Sequence, residues 1–110
     1  IEGQRAEQIL SDAKALEEAG VFSMVLEGLP AALAKQVTEA VEVPTIGISA
    51  GPHCDGQVLV LYDMLALDET FKPRFVKHYA KMGTTVVDAL NRFSSEVREG
   101  AFPDEVHSFE

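Results

Sequence analysis

Val21-Phe22-Ser23-Met24-Val25-Leu26-Glu27-Gly28-Leu29-Pro30 is the stretch whose reading decides the fold. Its first six residues are a short, β-rich apolar run with breakers on both sides, which predicts a buried strand over 21–26. Gly28 and Pro30 then mark a tight turn into a helix. Proline suits a first helical turn because its missing N–H has no partner inside the helix there. Leu33, Ala34, Val37, Ala40 and Val41 give that helix its apolar face. Upstream, Ala6, Ile9, Leu10, Ala13, Leu16 and Ala19 form a helical stripe within 4–19, and Gly20 stands where a C-cap glycine belongs. Downstream, Pro44 precedes a second strand, Thr45-Ile46-Gly47-Ile48-Ser49, which ends in Ala50-Gly51. Val58-Leu59-Val60-Leu61-Tyr62 reads as a strand or a buried helical turn; its valines and the Asp55-Gly56 turn before it favour a strand. Residues 66–83 read as loop with some helix. Thr84 or Thr85 is placed to cap a last helix with the stripe Val87, Leu90, Phe93 and Val97, stopped by Gly100 and Pro103.

The order is helix, strand, helix, strand, strand, helix. Alternating elements with short links predict a parallel sheet with right-handed crossovers. The first helix lacks a preceding strand and three strands cannot close a barrel, so the chain reads as the C-terminal part of a larger α/β domain. Composition agrees with a globular fold: 46% of the 110 residues are hydrophobic and 25% charged. Nine basic against eighteen acidic residues give a net charge of −9, a field that repels phosphate backbones and argues against nucleic-acid binding. No run of about 18 apolar residues is present to span a membrane. The single Cys54 cannot form an intrachain disulfide, which fits a reducing compartment. The chain opens on Ile1 and continues polar, so no signal peptide is expected and the sequence reads as a piece of a longer protein. A complete (β/α)8 barrel needs roughly 200 residues or more.

In a parallel α/β layout, sites form at the C-terminal ends of strands. Two such ends are legible, Leu26-Glu27-Gly28 and Ile48-Ser49-Ala50-Gly51. By alternation, Phe22, Met24 and Leu26 share one face of the first strand and Ser23, Val25 and Glu27 the other. On the second, Ile46 and Ile48 oppose Thr45, Gly47 and Ser49. Each strand is thus expected to pack its bulky face on helices and turn its smaller face toward a barrel interior, with Ser49 near the rim. Glu27 stands at the upper end of that inner face, placed to act as a general base or a metal ligand. Burial raises a glutamate's pKa from about 4.3 toward the operating pH and improves it as a base. Its alternative role is a charge on the dipole of the helix that follows.

Other candidates carry less. Ser49-Ala50-Gly51 could offer backbone N–H groups to an anion, but without a fuller glycine-rich fingerprint its small residues read better as a turn. His53, Cys54 and Asp55 are consecutive, which rarely converges on one ion, and no second pair at zinc-ligand spacing exists. Asp63 is expected to end the third strand, where it could reach the same pocket but reads better as a surface turn acid. His78 and His107 have no partner legible in sequence and read as solvated.

Val25-Leu26-Glu27-Gly28-Leu29-Pro30, then Pro44-Thr45-Ile46-Gly47-Ile48-Ser49-Ala50-Gly51, then Asp55-Gly56-Gln57-Val58-Leu59-Val60, and finally Phe102-Pro103-Asp104-Glu105-Val106-His107-Ser108-Phe109 resemble, in this order, the ketopantoate hydroxymethyltransferase family. The resemblance implies a (β/α)8 TIM barrel whose C-terminal portion is residues 1–101, with 102–110 as a C-terminal tail. It implies transfer of a hydroxymethyl group from 5,10-methylenetetrahydrofolate to 3-methyl-2-oxobutanoate, giving 2-dehydropantoate for pantothenate biosynthesis. It also implies Mg²⁺ held by carboxylates outside this segment, a cytoplasmic homo-oligomer, and Glu27 as the proton acceptor. The sequence departs from the family at Ser49, where glycine is usual, and lacks a glycine usual near Ala66. Two rival readings remain: another keto-acid enzyme of the phosphoenolpyruvate/pyruvate-type barrels, and a non-catalytic half-barrel that works by association through its open sheet edge.

Overall fold

A computed structural model describes residues 3–110. The described chain divides into two units, residues 1–59 and 60–110. The first contains α1 (Gly3–Glu18), β1 (Met24–Glu27), α2 (Ala31–Ala40), β2 (Thr45–Ile48) and β3 (Gly56–Gln57). The second contains α3 (Leu61–Met64) and α4 (Met82–Glu99). The fold is mixed α/β with a parallel three-stranded sheet in the order β1-β2-β3.

In the first unit, the helical stripe of α1 and the apolar face of α2 meet the sheet. Ala13 of α1, Met24 and Leu26 of β1, and Leu33, Ala34 and Val37 of α2 form one core with Val41 and Ala50. Gly20 ends α1 in the left-handed region, at φ +96°. Glu17 then ties α1 to the chain after α2, accepting hydrogen bonds from the N–H groups of Glu42 and Val43. β1 begins at Met24, not Val21. The Met24 N–H bonds the Pro44 carbonyl at 3.1 Å, and Pro44 has no N–H with which to extend the ladder backward. Phe22 consequently lies outside the sheet, 90% exposed, rather than in its buried face.

The register pairs Met24 with Thr45, Val25 with Ile46, Leu26 with Gly47 and Glu27 with Ile48. Paired residues of neighbouring strands face the same way. Met24 and Leu26 pack on the helices as their bulk predicts, so Thr45 and Gly47 lie on the helix side, and Ile46 and Ile48 share the opposite face with Val25 and Glu27. This reverses the sequence expectation for the second strand. The reason is a satisfied polar group: Thr45 is fully buried, its Oγ1 lies 2.9 Å from Oγ1 of Thr38 on α2, and its N–H donates to the Asp55 carboxylate at 2.9 Å. A buried threonine with these partners does not seek the wetter face.

The expected third strand is also displaced. β3 is Gly56–Gln57, followed by one more ladder bond from the Val58 N–H to the Gly47 carbonyl. Leu61–Met64 is instead a helical turn, with the Met64 N–H bonded to the Val60 carbonyl at 2.8 Å. Asp63 therefore sits in α3 and ends no strand. An apolar run without periodicity fits both conformations, and here the helical turn prevailed.

In the second unit, residues 65–81 contain turns but no helix. α4 starts at Met82, before either threonine expected to cap it. Its first N–H groups find partners from far upstream: Met82 N–H bonds the Leu65 carbonyl, Gly83 N–H the Ala66 carbonyl, and Thr84 N–H the Glu69 carboxylate. Glu69 also accepts from the Thr84 hydroxyl, and these two bonds hold its carboxyl below the usual range. The approach is close enough to need glycine. A Cβ at Gly83 would lie 2.8 Å from the Leu67 carbonyl oxygen and 3.0 Å from that of Ala66. Gly83→Ala is therefore expected to destabilise this unit by about 1–3 kcal/mol, as overpacking does. A denaturation midpoint unchanged from wild type in the full-length polypeptide would contradict this contact. α4 ends at Gly100, φ +74°, as expected. Phe102 then packs edge-on against Phe93, with ring centroids 5.6 Å apart. The predicted stripe of α4 is present, but Val87, Leu90, Phe93 and Val97 are exposed.

Candidate functional site

Glu27 is the last residue of β1. It is exposed, and alternation sets it opposite Leu26, on the sheet face away from α1 and α2. The burial that would favour a general base is thus not present within this chain. Its register partner is Ile48, and the N–H of the next residue, Gly28, bonds the Ile48 carbonyl at 3.0 Å. The Glu27 backbone is therefore fixed by the β1–β2 ladder, and its side chain is exposed. The helix-charge alternative fits less well: α2 begins four residues later, at Ala31, and packs on the other face. Glu27 also borders a hollow of about 220 Å³ along β1 and α1, lined by Ile9, Ala13, Leu16, Met24 and Leu29.

The turn after β2 is built from close contacts. Ser49 is left-handed, φ +54°, and Gly51 follows at φ +75°. Ala50 is buried in the core. Gly51 presses on the first residue of α2, so that a Cβ there would lie 2.4 Å from Ala31 Cβ. Its carbonyl accepts a hydrogen bond of 2.9 Å from the Gln57 carboxamide. Strand alternation does not extend to Ser49, whose backbone has already left the strand. Ser49 and Ala66 are the non-glycine residues at positive φ among those described.

The left-handed conformation costs an L-residue roughly 1–2 kcal/mol, against about 0.5–1 kcal/mol for the added freedom of glycine in the unfolded chain. Ser49→Gly is thus expected to leave stability equal or slightly higher, where a strand position would have lost stability, and to keep activity equal or higher. The check is the denaturation midpoint and kcat/KM of the full-length polypeptide. A loss of kcat/KM beyond about tenfold, ~1.4 kcal/mol of transition-state stabilisation, would give the Ser49 hydroxyl a role of its own.

The remaining candidates have structural partners. Asp55 accepts hydrogen bonds from the N–H and hydroxyl of Thr45 and is no member of a His53-Cys54-Asp55 triad. His78 Nε2 lies 2.9 Å from the Phe71 carbonyl, and His107 Nδ1 lies 2.6 Å from the Asp104 carboxylate, so neither histidine is simply solvated. Among the described residues, no group of three or more His, Cys, Asp or Glu is gathered to hold a metal ion. No helix among them is long and apolar enough to cross a membrane. A larger hollow, about 500 Å³, lies in the second unit between Tyr62, Val87 and the Glu69–Thr84 cap. Its two carboxylates are engaged by Thr70 and Thr84.

The sequence profile of the ketopantoate hydroxymethyltransferase family matches residues 2–105. Three curated relatives are each named 3-methyl-2-oxobutanoate hydroxymethyltransferase. The protein of Caldicellulosiruptor saccharolyticus is 56% identical over 98% of this chain and 41% of its own length. That of Pelobacter propionicus is 55% identical over 96% of this chain and 39% of its own. That of Moorella thermoacetica is 57% identical over 94% of this chain and 38% of its own. The chain thus spans about two-fifths of the length of these relatives. With a profile match over nearly every residue, the chain belongs to the ketopantoate hydroxymethyltransferase family.

Proposed function

We propose that the full-length polypeptide carrying this chain transfers a hydroxymethyl group from 5,10-methylenetetrahydrofolate to 3-methyl-2-oxobutanoate, giving 2-dehydropantoate, with Glu27 as general base. The observation that carries the role of Glu27 is its place: the C-terminal end of a parallel strand, on the face the helices leave free. The carboxylate takes the proton from the carbon alpha to the ketone. The carbanion so formed makes the new C–C bond to the one-carbon unit, whose two C–N bonds to the folate break; water supplies the hydroxyl oxygen and tetrahydrofolate leaves. Removing such a proton needs a base within hydrogen-bond reach, and the fixed backbone of Glu27 supplies a firm base for that side chain.

The proposal includes a (β/α)8 barrel of which residues 1–101 are the C-terminal portion and 102–110 a tail. Its support is geometric. α1 leads into β1, which pairs in parallel with β2, so a right-handed crossover puts a preceding strand beside the free edge of β1. Mg²⁺ belongs to the proposal as a group held outside this segment. The described residues do not gather a site for it. The proposal also includes a cytoplasmic homo-oligomer, to which the exposed stripe on α4 lends support. The direct test is incubation of the full-length polypeptide with the keto acid, the folate donor and Mg²⁺. Formation of 2-dehydropantoate is expected; its absence from a folded preparation would overturn the reading.

A further inference from the structure

We propose that Gln57 is a positioning residue for the site at Glu27: its carboxamide, seated on the bare Cα of Gly47, holds the Gly51 carbonyl and so fixes the Ser49–Gly51 turn beside the end of β1. This rests on the reading of Glu27 given above. β2 and β3 are parallel, yet only residues 49–55 join them. Parallel strands are ordinarily joined by about a dozen residues or more, generally including a helix that braces the connection. This connection has no helix, and two side chains brace it instead. Asp55 anchors one end on Thr45, through bonds to its N–H and hydroxyl. Gln57 anchors the other, with Nε2 donating to the Gly51 carbonyl at 2.9 Å.

Two glycines make room for the second anchor. A Cβ at Gly47 would stand 3.2 Å from both Nε2 and Oε1 of Gln57 and 3.0 Å from Cys54 Sγ, so the carboxamide occupies space that any other residue would fill. A Cβ at Gly51 would stand 2.4 Å from Ala31 Cβ and 2.8 Å from Ala31 Cα, so the turn is pressed on the helix start that follows Glu27. Gln57 is itself exposed, and burial does not explain its placement. The turn is also held by the Gly28 N–H on the Ile48 carbonyl, one residue from Glu27 on one side and one from Ser49 on the other.

Glu27 is fixed by the strand ladder, whereas the Gly51 carbonyl of the turn is held by Gln57. Losing the carboxamide therefore loosens the turn next to the end of β1 and leaves the base where it is. In the full-length polypeptide, Gln57→Leu is expected to raise KM for 3-methyl-2-oxobutanoate about 3- to 10-fold, the loss of one hydrogen bond. kcat should stay within about twofold, because the base is unmoved. Gln57→Glu keeps the shape but turns an acceptor toward the carbonyl, and should act in the same direction. Amide hydrogen exchange of Ser49, Ala50 and Gly51 should quicken in both variants, with exchange in α1 unchanged. A merely structural role would lower the folded fraction and the apparent kcat but not move KM. If wild type turns over and KM in both variants equals the wild-type value, the positioning role of Gln57 is overturned and the reading of Glu27 stands. If folded wild type does not turn over at all, the functional reading itself is overturned, and the Gln57 role falls with it.

Discussion

Glu27→Gln in the full-length polypeptide is expected to lower kcat by about 10²–10⁴-fold, the usual cost of losing a positioned general base. That corresponds to roughly 2.7–5.5 kcal/mol of transition-state stabilisation. KM for the keto acid should change far less, because glutamine keeps the shape of the side chain and the β1–β2 ladder keeps the backbone in place. The split separates a base from a binding residue: removal of a group that acts only in the transition state lowers kcat and kcat/KM together. A variant with wild-type kcat and a raised KM would make Glu27 a substrate-binding residue instead.

The second large effect is on the chain by itself. Residues 1–110 alone are expected to show no turnover and no sharp cooperative unfolding. The apolar core of the first unit is small: Leu33, Met24 and Leu26 are its largest members, and Val37 is the largest apolar side chain fully shielded from water. Against it stand Phe22, Val25, Leu61, Tyr79, Leu90 and Phe93, each more than half exposed. Burying one such side chain is worth about 1.5–3 kcal/mol, and small domains have little stability to spare. β1 also presents a free edge to solvent, a template for aggregation. Calorimetry of the isolated chain beside the full-length polypeptide tests this. A sharp two-state transition with turnover from the chain alone would contradict it.

Much of the scaffold was legible because local signals agreed. The stripe of α1, the Pro30 entry to α2 and the Gly100 stop of α4 each fall within a few residues of where the sequence puts them. The orientation of β1 was legible as well, since Met24 and Leu26 are both bulky and both buried. β2 was not, because its most buried side chain is a threonine. Thr45 is accommodated by Thr38 and by Asp55, ten residues on, and a periodicity argument sees no such partners. The start of α4 was hidden for the same reason: its cap is Glu69, fifteen residues upstream of the threonine it bonds. Glu27 as a candidate needed only its position at a strand end. Gln57 gave no signal beyond belonging to the Asp55-Gly56-Gln57 stretch, since its bond to Gly51 exists only once two parallel strands are side by side. The departure at Ser49 was visible as a serine where the resemblance implies a glycine, but its left-handed backbone needed the structure.

Exchange of the alpha proton of 3-methyl-2-oxobutanoate with deuterium, followed by NMR in the absence of the folate donor, isolates the one step assigned to Glu27. Wild-type full-length polypeptide is expected to exchange the proton readily, and Glu27→Gln about 10²–10⁴-fold more slowly, with the keto acid still bound. Exchange at the wild-type rate in the glutamine variant would show that another group is the base.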